Sequence, residues 1–428
     1  MRRAKIICTI GPASASPAIL DRLIDAGMNA ARLNFSHGSP DIHRRAIAAV
    51  REAAARRGVA VAIIQDLQGP RIRVGDVPPA GIEVVTGGTI ELRTTASRSP
   101  QIPTIPVTYP HLSDDIAVGA RILIDDGLIE LVADRIPPGA VTCRVIEGGT
   151  VHAHKGINFP GSRISAPALT EKDMEDLRIG LAEAVDYVAL SFVRGPQDIV
   201  AARKAMAESG REAPIIAKIE RPEAVDVLDE LLEQADGIMI ARGDLGVEMG
   251  PEAVPVLQKR MIAQANRRRR LVITATQMLE SMTRHPQPTR AEASDVANAV
   301  FDGTDAVMLS AETATGEYPV ETVRVMDRLI CAAEDAALPR VSGLGAWLPG
   351  ASVFPEAICE ATASAAESIG ATAIVAFTES GATARLLSMQ RPMAPIVAFT
   401  PFEPVRRAMA LCWGVVPFMM QRMDDTEA

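Results

Sequence analysis

Two short apolar runs carry charge to their ends. Pro214 to Ile219 closes on Lys218-Ile219-Glu220, and Gly237 to Ala241 runs into Arg242-Gly243-Asp244-Leu245-Gly246. Each reads as a buried strand with charged residues at its tip. Charges there are costly unless they meet a metal or one another, so the pattern points to a polar site. Two carboxylates, Glu220 and Asp244, with Lys218 on neighbouring strands suit a magnesium ion that holds an anionic substrate. Other apolar runs end alike, in Arg32-Leu33-Asn34-Phe35-Ser36-His37-Gly38, Gln65-Asp66-Leu67-Gln68-Gly69-Pro70-Arg71-Ile72-Arg73, Thr274-Ala275-Thr276-Gln277 and Ser310-Ala311-Glu312-Thr313. The cations Arg32, Arg71, Arg73 and Lys218 then face a similar number of carboxylates, the inventory that holds a polyanion through metal and direct hydrogen bonds. A purely structural layer of ion pairs is the competing reading, and the agreement of so many tips weighs against it.

The elements that must position these tips are β-rich runs: Lys5 to Ile10, Asn29 to Asn34, Val59 to Gln65, Tyr187 to Ser191, Pro214 to Ile219, Gly237 to Ala241, Leu271 to Ala275 and Ala306 to Leu309. Amphipathic stretches lie between most of them, such as Ile42, Ala46, Ala49, Val50 and Ala53 before Gly58, or Val225, Leu228, Leu232 and Ala235 after Pro222. Pro17, Pro196 and Pro222 mark first helical positions, and Gly27, Gly58 and Gly210 the residues just past helix ends. Near-continuous apolar strands alternating with helices imply a parallel sheet covered on both faces, and eight repeats predict a closed (β/α)8 barrel. An open doubly wound sheet is the structural alternative.

The third and fourth tips, at Gln65 and Ser191, stand roughly 90 to 100 residues further apart than a βα unit requires. The insert is placed at 75–165. Thr89 to Arg93, Ala120 to Asp125, Leu128 to Ile136 and Val141 to Ile146 read as short strands, with Asp126-Gly127 as a hairpin turn, so it is a small all-β domain. At the C-terminal end of a barrel strand it is placed to close as a lid. The barrel itself takes 1–74 and 166–340. A Gly-rich linker at Ser342 to Ser352 leads to a C-terminal α/β domain over 341–428, whose strands are expected at Thr372 to Phe377, Pro395 to Phe399 and Val415 to Met419. Ending on a strand leaves an open edge and one face with little cover.

Composition narrows the function classes. A net charge of −9 with two Trp and three Tyr argues against a nucleic-acid groove, which needs basic surface and stacking aromatics. Five scattered cysteines with no Cys-x-x-Cys pair imply neither a disulfide framework nor a zinc site. The apolar stretch after Met1-Arg2-Arg3 is too short and polar for a signal peptide, and no run reaches membrane-spanning length, so a cytoplasmic protein without membrane contact is expected. The basic run Arg267 to Arg270 ends an amphipathic helix starting near Val254 and reads as a solvated helix end, where cations favour the dipole.

Jointly these motifs resemble pyruvate kinases. The stretches that carry the resemblance are Lys5-Ile6-Ile7-Cys8-Thr9-Ile10-Gly11-Pro12-Ala13-Ser14, Ala31 to Gly38, Ala217-Lys218-Ile219-Glu220, Ile240 to Glu248, Ala275-Thr276-Gln277-Met278-Leu279-Glu280-Ser281-Met282, Pro288-Thr289-Arg290-Ala291-Glu292 and Asp302 to Glu317. They run from residue 5 to about 420 and are far more specific than a lone glycine loop. The resemblance implies a (β/α)8 barrel with a β-barrel lid after strand three and a C-terminal α/β domain. It implies transfer of phosphate from phosphoenolpyruvate to ADP, the final step of glycolysis, with the enolpyruvate released being protonated to pyruvate. Glu220 and Asp244 would then bind Mg2+, or Mn2+ in its place. Lys218 would neutralise charge on the transferring phosphoryl group and Arg32 would grip that phosphate. Gly243, Asp244 and the Thr276 hydroxyl would hold the substrate carboxylate. Asn34, Phe35, Ser36, His37, Arg73 and the lid's Lys155 would meet the nucleotide, Arg73 and Lys155 steering its phosphates. Lys218 and a water relay through Thr276 or Ser310 are both candidates for the proton donor. A homo-oligomer, the family tetramer, is the expected assembly.

Two stretches depart from the family pattern. Potassium-requiring members resemble Asp-Thr-Lys-Gly-Pro-Glu-Ile-Arg-Thr where this chain has Asp66-Leu67-Gln68-Gly69-Pro70-Arg71-Ile72-Arg73-Val74. A guanidinium at Arg71 in place of the acid would supply the charge that a monovalent ion contributes beside Asn34, Ser36, Asp66 and Leu67, so K+ is not expected to be required. Family members also usually continue past the equivalent of Met420, so a shortened C-terminal domain is expected, with sugar-phosphate activation through Thr378-Glu379-Ser380-Gly381-Ala382-Thr383 lacking its second half. Two rivals share parts of this inventory: a magnesium-dependent oxo-acid lyase or aldolase, which needs neither Arg73, Lys155 nor a lid, and a non-catalytic metabolite-binding relative, which would more readily have lost Lys218, Glu220, Asp244 or Thr276.

Overall fold

A computed structural model of the chain describes residues 1–94, 102–336 and 353–422. Eight strands, Lys5–Thr9, Ala30–Asn34, Ala62–Asp66, Tyr187–Leu190, Ile215–Ile219, Gly237–Ala241, Leu271–Ala275 and Ala306–Leu309, pair side by side in parallel, and pairing of Lys5 with Ala306 closes the ring. That closure excludes the open sheet. Every residue of the last four strands is buried, which is why their sequences are continuous apolar runs rather than alternating ones. One set of side chains, including Ile7, Ile64, Ile216, Met239 and Ile273, fills the barrel interior, and the other, including Ile6, Ile63, Ile219 and Ile240, meets the helical layer.

Helix boundaries follow local chemistry. Pro17, Pro40, Pro196 and Pro222 each open a helix, where a missing N–H costs nothing. Gly58, at φ +67°, ends Pro40–Arg57 and returns its N–H to the Ala54 carbonyl. The single helix expected after Pro222 is instead two, Pro222–Asp226 and Leu228–Gln234, with Val227 at φ −108° and ψ 26° between them. The break still buries Val225, Leu228, Leu231 and Leu232.

Between the third and fourth barrel strands the chain builds a six-stranded sheet with a two-stranded one beside it, around Val74, Ile90, Leu92, Ile124, Leu131 and Phe159. The short strands Ile82–Val84, Thr104–Pro106, Gly149–Val151 and Ile157–Asn158 go beyond those legible from alternation. Asp126 and Gly127, both at positive φ, form the turn between Arg121–Ile124 and Ile129–Arg135.

Ile374–Phe377, Ile396–Thr400 and Val415–Met419 form a three-stranded parallel sheet, with Val415–Met419 at an edge among the described residues. Phe377, Phe399 and Phe418 stack across one face, where Val375, Phe377 and Phe418 stay exposed. The linker expected at Ser342 to Ser352 lies outside the described residues. This domain docks at the N-terminal mouth of the barrel. Lys5 Nζ donates to the Val415 carbonyl at 2.7 Å, Arg391 pairs with the buried Asp305 at 2.7 Å, and Arg407 Nε donates to Asp186 Oδ1 at 3.0 Å. Ala410 and Leu411 enter the barrel's interior cluster. The basic run at the end of helix Val254–Arg267 is not a solvated end. Arg268 pairs with Asp229 and Glu233, Arg270 donates to the Leu232 and Glu233 carbonyls, and Arg269 pairs with Glu356 of the C-terminal domain, because backbone acceptors and acids surround it.

Candidate active site

The C-terminal strand tips converge on Lys218, whose ammonium is almost fully enclosed. It donates to Ser191 Oγ at 2.6 Å and pairs with Glu220 Oε1 at 2.9 Å and Asp66 Oδ1 at 3.2 Å. Burial alone would lower its pKa, but Asp66 and Glu220 outweigh burial and the net shift is upward, so it remains charged. Asp66 is the second node. Arg32 Nε donates to its other oxygen at 2.6 Å, and the two cations hold the carboxyl below its ordinary range despite burial. Arg32 also donates to Thr9 Oγ1 at 3.2 Å.

Glu220 is 1% exposed, and its pKa is raised, first by burial and further by the negative charge of Asp244. Its second oxygen accepts from the Phe192 N–H at 2.7 Å. Two carboxylates near enough to disturb each other fit a divalent cation, whose charge would relieve that repulsion. Among the described residues no group of three or more His, Cys, Asp or Glu side chains converges, so an ion held by Glu220 and Asp244 would keep positions for substrate and water oxygens.

Beside this pair the seventh strand ends in strained backbone. Thr276 and Gln277 lie at φ +69° and +52°, uncommon for any residue with a Cβ and unfavourable for a β-branched one. Arg242 holds them there, with its guanidinium donating to the carbonyls of Thr276 at 2.7 Å and Gln277 at 3.2 Å while pairing with Asp295 at 2.7 Å. The strain turns Thr276 Oγ1 toward the sixth tip, where it accepts from the Gly243 N–H at 2.8 Å and donates to the Ala275 carbonyl at 2.6 Å. Gly243 and Asp244 open helix Arg242–Met249. Ser310, on the eighth tip, has a buried hydroxyl with no partner, while its N–H donates to buried Glu312 at 2.6 Å.

The strand-three loop runs from barrel to lid. Gly69, at φ +68°, packs so closely that a Cβ would stand 2.9 Å from the Ser191 Cβ, and its N–H donates to Asp173 at 3.0 Å. Arg71 lies 3.7 Å from both Asp126 on the lid hairpin and Asp244, and its ion pairs are with these acids, not with Asp66. Arg73 donates to the His154 carbonyl at 2.9 Å, and Lys155 pairs with Asp125 of the same hairpin at 2.9 Å. His37 is exposed, and partial burial followed by the charges of Arg73, Arg71, Arg32 and Lys172 depresses its pKa. Asn34 accepts from the Ser36 N–H at 3.2 Å. Two expected residues turn away. The Phe35 ring is fully buried, stacked on His43 at 3.7 Å, and Leu67 packs its side chain in the outer core while its carbonyl accepts from Ser191 Oγ at 2.7 Å.

The barrel-domain model of pyruvate kinase matches residues 1–323, and that family's alpha/beta-domain model matches 356–428. Similar curated proteins include the pyruvate kinases of Mycobacterium intracellulare (46% identical over 99% of this chain and 89% of that protein) and Geobacillus stearothermophilus (47% over 100% and 73%). The crystal structure of a Cryptosporidium parvum pyruvate kinase superposes with a TM-score of 0.94 at 38% identity, covering 100% of this chain and 88% of that one. The chain belongs to the pyruvate kinase family. As a pyruvate kinase it transfers a phosphoryl group from phosphoenolpyruvate to ADP, giving pyruvate and ATP, and requires a divalent metal. The lyase and binding-protein readings are thereby set aside. No helix among the described residues is long and apolar enough to cross a membrane.

Sequence reasoning gave no role to two residues of this candidate site in the pyruvate kinase. Ser191 joins Lys218 to the strand-three loop, and its signal was only its place at a strand tip. Arg242 was read only as a charge at a strand tip, yet it serves as the clamp behind Thr276.

Proposed function

We propose that this strand-tip cluster carries the pyruvate kinase reaction with Mg2+, or Mn2+ in its place, at Glu220 and Asp244. The observation that carries the reading is Lys218, an enclosed ammonium bound to Ser191, Asp66 and Glu220 where the barrel strand tips converge. Held by Glu220 and Asp244, the ion would supply positive charge to offset that of the anionic substrate. Lys218 offsets the charge growing on the phosphoryl group in transfer, and Arg32, braced on Asp66, orients that group. The Gly243 N–H and the Thr276 hydroxyl take the substrate carboxylate, giving up the bond between them and the bond from Thr276 to the Ala275 carbonyl. Arg73 and Lys155 meet the ADP phosphates as lid and barrel approach, with Asn34, Ser36, His37 and the backbone of Phe35 lining the nucleotide side.

After the bond from phosphorus to the enol oxygen breaks, the enolate needs a proton at its methylene carbon. Lys218 is bound to three acceptors with its pKa raised, and the Thr276 hydroxyl is taken up by the substrate carboxylate. The Ser310 hydroxyl has no partner, which favours a water relay through Ser310. Domain limits of 1–74 with 166–340, 75–165 and 341–428, a cytoplasmic setting and a homo-oligomeric assembly complete the reading.

Arg71 is proposed to replace potassium, and a second cation in the Asn34, Ser36, Asp66 and Leu67 neighbourhood would meet Arg32 and Lys218, both paired with Asp66. The test is pyruvate formation from phosphoenolpyruvate and ADP with Mg2+, run with potassium and with a bulky monovalent cation at constant ionic strength. Equal rates are expected. A large, saturable activation by potassium would defeat the role of Arg71, and absence of turnover in both from folded protein would defeat the site assignment.

A further inference from the structure

Glu248 has no part in the chemistry above, yet it is buried, charged and placed between the lid and the metal turn. It sits one helical turn beyond Asp244, near the end of helix Arg242–Met249, and is 7% exposed. Its Oε1 accepts from Asn158 Nδ2 at 2.9 Å, and Asn158 lies buried on the lid strand Ile157–Asn158. Arg221 approaches the same carboxylate at 3.8 Å and donates to the Ser162 carbonyl at 3.1 Å, where the lid returns to the barrel. Arg221 directly follows Glu220, so both proposed metal ligands connect through short backbone to one carboxylate held by the lid. Glu248 Oε2 has no partner. An incompletely satisfied buried carboxylate is a poor packing element, and an apolar side chain would stabilise that position better.

We infer that Glu248 is a positioning residue which links the lid's position to that of Asp244 and Glu220, so that divalent metal binding and lid closure favour each other. The inference rests on Glu220 and Asp244 being the metal ligands. Helix Arg242–Met249 has 8 residues, and shifting as one short rod it would carry a displacement of Asn158 at one end to Asp244 at the other. Reciprocity then requires that metal binding act on the lid as the lid acts on the metal.

The experiment uses the full chain without substrate or nucleotide. Mn2+ affinity is read by the loss of the free-ion electron paramagnetic signal, and lid position by amide hydrogen exchange over 154–160 with and without Mn2+. In the wild type, Mn2+ should slow exchange in that segment by about fivefold or more. Glu248→Ala and Asn158→Ala should each remove the Mn2+-dependent slowing and weaken Mn2+ binding about fivefold, with the double variant no worse than either single one. Glu248→Gln, which keeps an acceptor for Asn158, should recover much of the response. Metal-dependent slowing of wild-type size in Glu248→Ala, or in Asn158→Ala should Glu248→Ala not fold, overturns the inference while leaving the site intact. Unchanged Mn2+ affinity in Glu220→Gln combined with Asp244→Asn removes the ligand assignment and the inference with it.

Discussion

A single ammonium decides the electrostatics of this site. Lys218 is bound to Ser191, Asp66 and Glu220 at once, and its charge persists because two carboxylates overcome the cost of burial. Lys218→Met should therefore lower kcat by about a thousandfold or more while Mn2+ binding at Glu220 and Asp244 is largely kept, measured by steady-state turnover beside ion titration. Wild-type turnover would remove Lys218 from its role. The type of each residue here was legible in the sequence, and its direction only in part. Strand side chains alternate, so Asn34 and Asp66 face the mouth while Phe35 and Leu67, one step on, face the helices. Where a ligand needs Phe35 or Leu67, only their backbone is on offer.

Loops at strand ends were the least legible elements, because backbone angles rather than hydrophobic period decide where their side chains go. Nothing in Thr274-Ala275-Thr276-Gln277 announces positive φ at Thr276 and Gln277, and so nothing reveals that Arg242 must hold them. The barrel strands were legible because burial on both faces leaves a continuous apolar run, and the lid hairpin because Asp126-Gly127 fits a turn with two positive φ values. Arg71 stayed ambiguous for the opposite reason, lying on a loop whose ion partners come from the hairpin and the sixth tip. Arg242→Met would free the strained turn. The expected outcome is a rise in KM for phosphoenolpyruvate of roughly tenfold or more, with rotation of the Thr276 hydroxyl away from Gly243, checked by steady-state kinetics and by an unchanged far-ultraviolet circular dichroism spectrum.

At the scale of the whole molecule, the barrel mouth that holds the proposed site faces the lid and the opposite mouth is sealed by the C-terminal domain. The seal contains a buried amine, Lys5, donating to the Val415 carbonyl, and burial lowers its pKa to about 8 from the ordinary 10.5. Because the folded value lies below the unfolded one, the folded protein releases this proton first, and stability from this site rises as pH climbs from about 8 to 10.5. Below that window the amine is charged in both states and the burial penalty stands in full. The melting temperature of wild type relative to Lys5→Met should thus be flat below pH 8 and move in favour of wild type above it, read by calorimetry across pH, and a flat difference throughout would refute the assignment. The sequence made the order of barrel, insert and C-terminal domain readable, since spacing and period change between them, but not the docking, which depends on Leu411 reaching strands hundreds of residues earlier in the chain. A nascent chain emerges from the ribosome N-terminus first. Ala410 and Leu411 complete the packing inside the barrel's far mouth. Even with its eighth strand already made, the barrel therefore lacks the side chains that close its far mouth until synthesis has passed Leu411.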